Sequence, residues 1–187
     1  SGEQNVYTRY EGEGGVRMHN LWRKFLFGWK FDGTRLFFTS YPTEESQIMF
    51  HRRIQDRVHR IAPFLQFDDD PYIVLADGKL YWIADAYTTS GDYPYSEPFY
   101  SGIATKYNPR SSLFSGRRRL RGINYIRNSV KTVVDAYNGR VDFYVYEPND
   151  PLIRTWQNVF PGLFKDRSEM PEALRAHVRY PSDMLLT

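Results

Sequence analysis

Residues 124–151 read NYIRNSVKTVVDAYNGRVDFYVYEPNDP, and this stretch decides the fold. At its centre stands Asn138-Gly139, two residues that readily adopt positive φ and therefore suit a two-residue type I′ turn. Apolar and aromatic residues lie on both sides of the pair: Val133, Val134, Ala136 and Tyr137 before it, and Val141, Phe143, Tyr144, Val145 and Tyr146 after it. The pattern predicts an antiparallel hairpin.

A second hairpin is predicted around Asp77-Gly78, which separates the apolar runs 72–76 and 79–87. Apolar residues at three- and four-residue spacing predict helices over 16–29, 48–61 and 168–178. Asp150-Pro151 predicts a further helix, with Asp150 as its N-cap and proline in its first turn. We therefore expect an α+β fold, in which an antiparallel sheet built from two hairpins carries helices packed on one face.

The first predicted helix carries an unusually aromatic stripe, formed by Leu21, Trp22, Phe25, Leu26 and Trp29. Such a stripe is typical of a helix that faces a core. Flanking cations favour an alternative in which it rests on a membrane or on a partner element: Arg17, Arg23, Lys24 and Lys30. Both interpretations stay open at this point.

The length of 187 residues suits one domain. Residues 1–15 are polar and glycine-rich and predict an arm or linker, which leaves a single α+β domain over 16–187. Within it, a polar and basic stretch at about 88–122 predicts a long mobile loop.

Composition excludes several classes of function. The chain has no cysteine, which excludes disulfides, thiolate zinc sites and cysteine nucleophiles. A net charge of +3 gives no reason to expect nucleic acid as a partner. In these residues no apolar run approaches the length of a membrane span and no phosphate-binding or nucleophile-elbow motif occurs, and we expect no signal peptide within them. We expect no cofactor and no metal, since the four histidines and the Asp68–Asp70 run lack ligand spacing.

Two copies of Asp-Ala-Tyr provide the candidate site, one in Ile83–Tyr87 and one in Val133–Tyr137. If their strands lie side by side, Asp85 and Asp135 could meet between tyrosines as an acid–base pair or a cation site. The alternative is that each aspartate faces solvent or pairs with Arg127 or Lys131. The candidate ligand-binding residues beside the two acids are Tyr87, Tyr137, Arg127 and Asn128.

A basic run provides a second candidate, which would contact phosphates of anionic lipid or another anion: Arg117, Arg118, Arg119 and Arg121. A solvated loop is the alternative, because no aromatic residues interrupt the run.

Four long strings resemble a known family; they are HRRIQDRVHRIAPFL (51–65), DDDPYIVLADGKLYWIADAYTTSGDYPYS (68–96), NYIRNSVKTVVDAYNGRVDFYVYEPNDPLIRTWQNVFPGLF (124–164) and MPEALRAHVRYPSDM (170–184). They resemble the non-membrane part of uncharacterised protein family 0182, which comprises bacterial and archaeal multi-pass membrane proteins. The resemblance implies a membrane-attached parent and an extracytoplasmic position for this region. It implies no activity, cofactor or catalytic residue.

Two functions from different classes follow. The first is a non-catalytic extracytoplasmic domain of a bacterial integral membrane protein, which serves ligand binding, partner binding or assembly. Its expected partners are the transmembrane part of its own parent, and a membrane surface or envelope component. The second is a cell-envelope hydrolase that uses paired carboxylates among aromatic residues. The missing catalytic motifs favour the first.

Overall fold

The structure is a computed structural model, and it describes residues 10–30, 46–98, 122–181 and 184. The chain divides into two compact units, residues 1–52 and 53–187. The predicted arm and the predicted loop at 88–122 lie largely outside the described residues. None of the described helices is long and apolar enough to cross a membrane.

The described part of the first unit contains β1 (Val16–Arg17), α1 (Leu21–Lys30) and β2 (Gln47–Ile48). The strands β1 and β2 pair antiparallel, with Val16 opposite Ile48. Helix α1 places Gly28 in the interior of its unit, while Trp22 and Trp29 are 70% and 82% exposed. The expectation that the aromatic stripe faces a core is therefore wrong for this structure.

The second unit is built on one six-stranded sheet. Its elements in chain order are α2 (Ile54–Ile61), β3 (Gln66–Phe67), β4 (Tyr72–Ala76), β5 (Lys79–Ser90), β6 (Tyr125–Asp135), β7 (Val141–Val145), α3 (Pro151–Val159), β8 (Phe164–Asp166), a 3-10 turn (Arg167–Glu169) and α4 (Glu172–Arg175). The strand order is β3-β5-β6-β7-β8, and β4 also pairs with β5. The α+β class is confirmed, and β6 lies at the centre of the sheet.

The two predicted hairpins are present, but their turns differ. Asp77 and Gly78 have φ of 49° and 73°, as a type I′ turn requires. In the β6–β7 hairpin only Gly139 has positive φ, so the type I′ prediction is wrong there. The reason is Asp135, whose carboxylate accepts the backbone N–H groups of Tyr137 and Asn138 at 2.8 and 2.9 Å. This Asx arrangement supports a longer turn that ends at Gly139.

A parallel strand, β8, extends the sheet beyond the two hairpins. Phe143 lies opposite Phe164 and Val145 opposite Asp166, and α3 makes the crossover connection that parallel pairing needs. Asp150 caps α3 by accepting the Leu152 N–H, and Pro151 occupies the first turn, as the sequence predicts.

Apolar cores lie on both faces of the sheet, because adjacent residues of β6 alternate between them. Val130 and Val134 pack with Val58 of α2 and Ile153 of α3. Val133 packs on the other face with Leu174 of α4 and with Met170, which precedes α4. The two longer helices thus cover one face, as predicted, and the short α4 lies on the other.

Three helices are shorter than predicted. The first begins at Leu21 and not at Val16, because Val16–Arg17 form β1. Residues 47–48 form a strand and His51 has φ of 53°, so α2 begins only at Ile54. Near the C-terminus, Pro171 separates a 3-10 turn from the four-residue α4. Proline lacks the N–H that a continuous helix would use there.

We expect Gly139→Ala to lower the free energy of unfolding by about 2–3 kcal/mol. Gly139 has φ of 73°, and an added Cβ would lie 2.4 Å from Nη1 of Arg57, which donates to the Gly139 carbonyl. Gly78→Ala is the matched control, because Gly78 has the same φ and an added Cβ there would have no described atom within 4 Å. Its cost should be about 1–2 kcal/mol by urea unfolding. Equal costs would contradict the role given to Arg57.

Candidate functional site

Strands β5 and β6 pair directly, but their register keeps the two candidate acids apart. Asp85 lies opposite Lys131, whereas Asp135 lies opposite Tyr81. Four residues along the ladder separate the two aspartates, which corresponds to roughly 13 Å. This exceeds the spacing of about 5–9.5 Å used by pairs of glycosidase carboxylates. Asp85 and Asp135 therefore form no two-carboxylate site.

Asp85 and Lys131 instead form a buried ion pair on the face that carries α4. Their side chains are 5% and 4% exposed, and the ammonium donates directly to the carboxylate. Lys131 also donates to the backbone carbonyl of Arg179 at 3.0 Å. Burial raises the pKa of Asp85, while the Lys131 ammonium and the Asn128 amide oppose that rise. This result matches the alternative in which Asp85 pairs with Lys131.

A β-bulge in β6 places Asn128 beside this pair. Ala86 lies opposite Val130 and Thr88 opposite Arg127, so two residues of β6, Asn128 and Ser129, face Tyr87 alone. The amide of Asn128 interacts with Asp85, while its Oδ1 is buried and accepts no hydrogen bond from the described residues.

Asp68 is a further polar residue next to Asp85, on the side toward the edge of the sheet. Its backbone N–H donates to the Asp85 carbonyl at 3.0 Å, which sets the two residues side by side. One oxygen of its carboxylate accepts the hydroxyl of Tyr87 at 2.5 Å, and the other accepts the Asp70 N–H at 2.9 Å. Tyr87 is only 1% exposed. The candidate tyrosine is thus part of the interior, and Asp68 forms an Asx turn at the start of the aspartate run.

A second buried carboxylate, Asp150, accepts four hydrogen bonds. The Thr88 and Ser129 hydroxyls donate to Oδ2, and the Tyr125 hydroxyl and the Leu152 N–H donate to Oδ1 at 2.7 and 3.0 Å. Burial tends to raise the pKa of Asp150, but these bonds outweigh it and hold the pKa below the usual value. Burial and the bond to Asp150 raise the pKa of Tyr125 to about 12. These hydrogen bonds stabilise the ionised Asp150 carboxylate and the first turn of α3.

The remaining candidates do not converge on one place. Asp135 holds the β6–β7 turn, and Tyr137 next to it is 56% exposed. Arg127 is exposed and lies 5.9 Å above the ring of Tyr125, beyond the bulge. The run Arg117, Arg118, Arg119 and Arg121 lies outside the described residues. Within the described ranges, no group of three or more His, Cys, Asp or Glu is placed to hold a metal.

Sequence reasoning gave Asp150 only a capping role and did not place Asp68 in a polar network. The sequence does contain a signal for Lys131. It is a charged residue within the mostly apolar segment 130–134, at a position on the same side of the strand as Val133, where a core residue is expected. The bulge that places Asn128 and Ser129 had no such signal.

We expect Lys131→Met to lower the free energy of unfolding by about 3–5 kcal/mol, because it leaves Asp85 buried without its counter-charge. The double variant Asp85→Asn/Lys131→Met should recover most of that loss, since neither charge of the pair remains. Urea unfolding of both variants measures the difference. A double variant that is no more stable than Lys131→Met would contradict the buried-pair interpretation.

Asp150 predicts a pH dependence of stability. Because its folded pKa lies below the unfolded value of about 3.9, its contribution is complete above about pH 5 and is lost as the pH falls through the folded pKa. Asp150→Asn should cost about 2–3 kcal/mol at pH 7, and progressively less as the pH falls toward 3. The exposed control Glu147→Gln should change stability by under about 0.5 kcal/mol at each pH. A pH-independent cost of Asp150→Asn would refute the assignment.

The profile of Uncharacterised protein family (UPF0182) matches residues 1–187. A UPF0182 protein of Sulfurovum sp. (strain NBC37-1) is 52% identical over 184 residues, which cover 98% of this chain and 18% of the relative. A UPF0182 protein of Moorella thermoacetica is 48% identical over 186 residues, with 99% and 18% covered. One from Trichodesmium erythraeum is 48% identical over 187 residues, with 98% and 20% covered.

No solved structure matches this chain. The chain spans about a fifth of the length of the curated relatives it matches. Since the profile covers every residue and the relatives agree, the chain belongs to uncharacterised protein family UPF0182.

Proposed function

We propose that this chain is a non-catalytic binding or assembly domain of a larger bacterial membrane protein, positioned outside the cytoplasm. Its partner in this proposal is the remainder of its own parent, including the transmembrane part. The expectation of a membrane parent and of an extracytoplasmic position comes from the family resemblance of the four quoted strings.

The observation that carries the proposal is the use of the buried acids. Asp85 is neutralised by Lys131, and Asp150 is saturated by four donors. Asp135, the other candidate acid, supports a turn. A general acid or base has to exchange its proton with a substrate within hydrogen-bond reach. These carboxylates accept their hydrogen bonds from other groups of the folded domain. This favours a domain that binds over one that catalyses.

An exposed apolar patch on the β4–β5 hairpin supports a binding role. Leu75 and Leu80 are opposite one another and are 65% and 49% exposed, and Ile73 beside them is 50% exposed. Contiguous apolar side chains on a sheet surface favour contact with another protein surface. The share of the relatives that this chain covers, about a fifth, leaves the parent ample sequence to supply that surface.

Photo-cross-linking tests the partner. With p-benzoylphenylalanine at Leu75 of the full-length parent in native membranes, we expect cross-links to peptides of the parent outside these 187 residues. The matched control is Asn158, an exposed polar position on α3, where few cross-links are expected. Equal yields at the two positions, or no cross-link at Leu75, would contradict an assembly role for the patch.

Cysteine labelling tests the position. In the full-length parent, Glu97→Cys should react with a membrane-impermeant maleimide in intact cells, because Glu97 is exposed. Ser129→Cys, at a fully buried position, should react only after denaturation and serves as the control. The unsubstituted parent gives the background. Labelling of Glu97→Cys only after lysis would place the domain in the cytoplasm.

A further inference from the structure

We propose that α1 is a membrane-surface helix that lays its aromatic face on a bilayer containing anionic phospholipid. The proposal goes beyond the assembly role and does not depend on it, since it concerns a different unit of the chain. It rests on the orientation of the helix, on the residues it exposes and on its charge.

Within the described part of the first unit, the apolar side of α1 is the exposed side. At 100° per residue, Trp22, Leu26 and Trp29 fall within an arc of about 60°. Phe27 and Gly28 lie on the opposite side, where Gly28 is buried and the ring of Phe27 lies 6.3 Å from that of Phe50. The helix therefore packs on its unit through the less exposed side, which carries Phe27 and Gly28.

The exposed side presents an unusually large apolar surface for a ten-residue helix. Leu21, Trp22, Leu26 and Trp29 are 60–82% exposed, and Phe25 is 44% exposed. At about 200 Å² for each aromatic side chain, the three aromatic residues alone expose roughly 400 Å². That already lies within the range of about 300–600 Å² for the largest apolar patch on a typical soluble monomer, before the two leucines are added.

The charge around this surface fits an anionic partner. Residues 16–30 contain four Lys or Arg and no Asp or Glu, a formal charge of +4, and the cations are Arg17, Arg23, Lys24 and Lys30. Arg23 and Lys30 flank the aromatic arc on one side and are exposed. Cations beside an apolar helix face hold it against anionic headgroups.

The two tryptophans favour a bilayer over a protein groove as the occupant. They stand seven residues apart, so that they lie two turns apart on one side of the helix, about 10 Å along its axis. Trp has an apolar body with one N–H group, and it concentrates at the headgroup level of membranes. Large aromatic residues along one side of a helix, in a segment (16–30) that contains cations and no Asp or Glu, suit a plane of lipid headgroups.

Vesicle flotation of the 187-residue chain tests the proposal. We expect binding to vesicles of 70% phosphatidylcholine and 30% phosphatidylglycerol at low salt, and weak binding to pure phosphatidylcholine. Trp22→Ser/Trp29→Ser should weaken binding at least 10-fold while the unfolding midpoint stays unchanged. Arg23→Gln/Lys30→Gln should weaken it about 25-fold, at roughly 5-fold for each cation, and reduce its salt dependence.

Two controls separate α1 from other surfaces. Ile73→Ser/Leu75→Ser removes comparably exposed apolar side chains from the second unit and should leave vesicle binding unchanged. Trp22→Phe/Trp29→Phe should keep binding but lose most of the fluorescence quenching by brominated lipid, because only Trp82 and Trp156 remain.

Three outcomes would overturn the proposal. The first is no binding to the anionic vesicles at any salt concentration. The second is unchanged binding by Trp22→Ser/Trp29→Ser, which would assign lipid contact to another segment such as the basic run. The third is a concentration-dependent dimer that this double variant abolishes without any loss of lipid, which would make a second copy of the chain the occupant.

Discussion

The ion pair between Asp85 and Lys131 holds the two central strands in one register, and most of the second unit depends on that register. A slip of one residue would set Asp85 opposite Val130 or Thr132 and leave a charge buried without a partner. It would also move the valines of β6 from one core to the other. The attraction between Asp85 and Lys131 is thus less important for the choice of register than the free-energy cost of burying either charge unpaired in any other register.

The same register explains why the chain has buried acids without a two-acid site. The two Asp-Ala-Tyr triplets are alike in sequence, but antiparallel pairing places Asp85 near the middle of the strand pair and Asp135 at its end. One aspartate then meets a lysine in the interior, and the other lies at the turn, where its oxygens accept backbone N–H groups. The two similar triplets thus place their aspartates in different environments, because the residues opposite them on the neighbouring strand differ.

Local signals predicted the local structure well. Asp77-Gly78 and Asn138-Gly139 marked two hairpins, and Asp150-Pro151 marked a helix start, because each depends on the conformational preferences of two or three residues. The turn at Asn138 differs because a neighbouring carboxylate competes for the backbone. Strand β8 has only three residues, two of them charged, so no pattern could predict its parallel pairing. The stripe of α1 predicted an amphipathic helix, yet periodicity does not say which side meets water.

The bulge at Asn128 and Ser129 sets a limit on changes of chain length. The extra residue lets neighbouring positions of one strand serve two networks, one around Asp85 and the other around Asp150. Deleting either residue would restore simple alternation and reverse the side on which each residue from Tyr125 to Arg127 emerges. Tyr125 would then lose Asp150, and the start of α3 would lose one of its donors. Insertions and deletions are thus excluded at this point of β6, whereas the turn after Asp135 can accept them more readily because its ends are fixed by the paired strands.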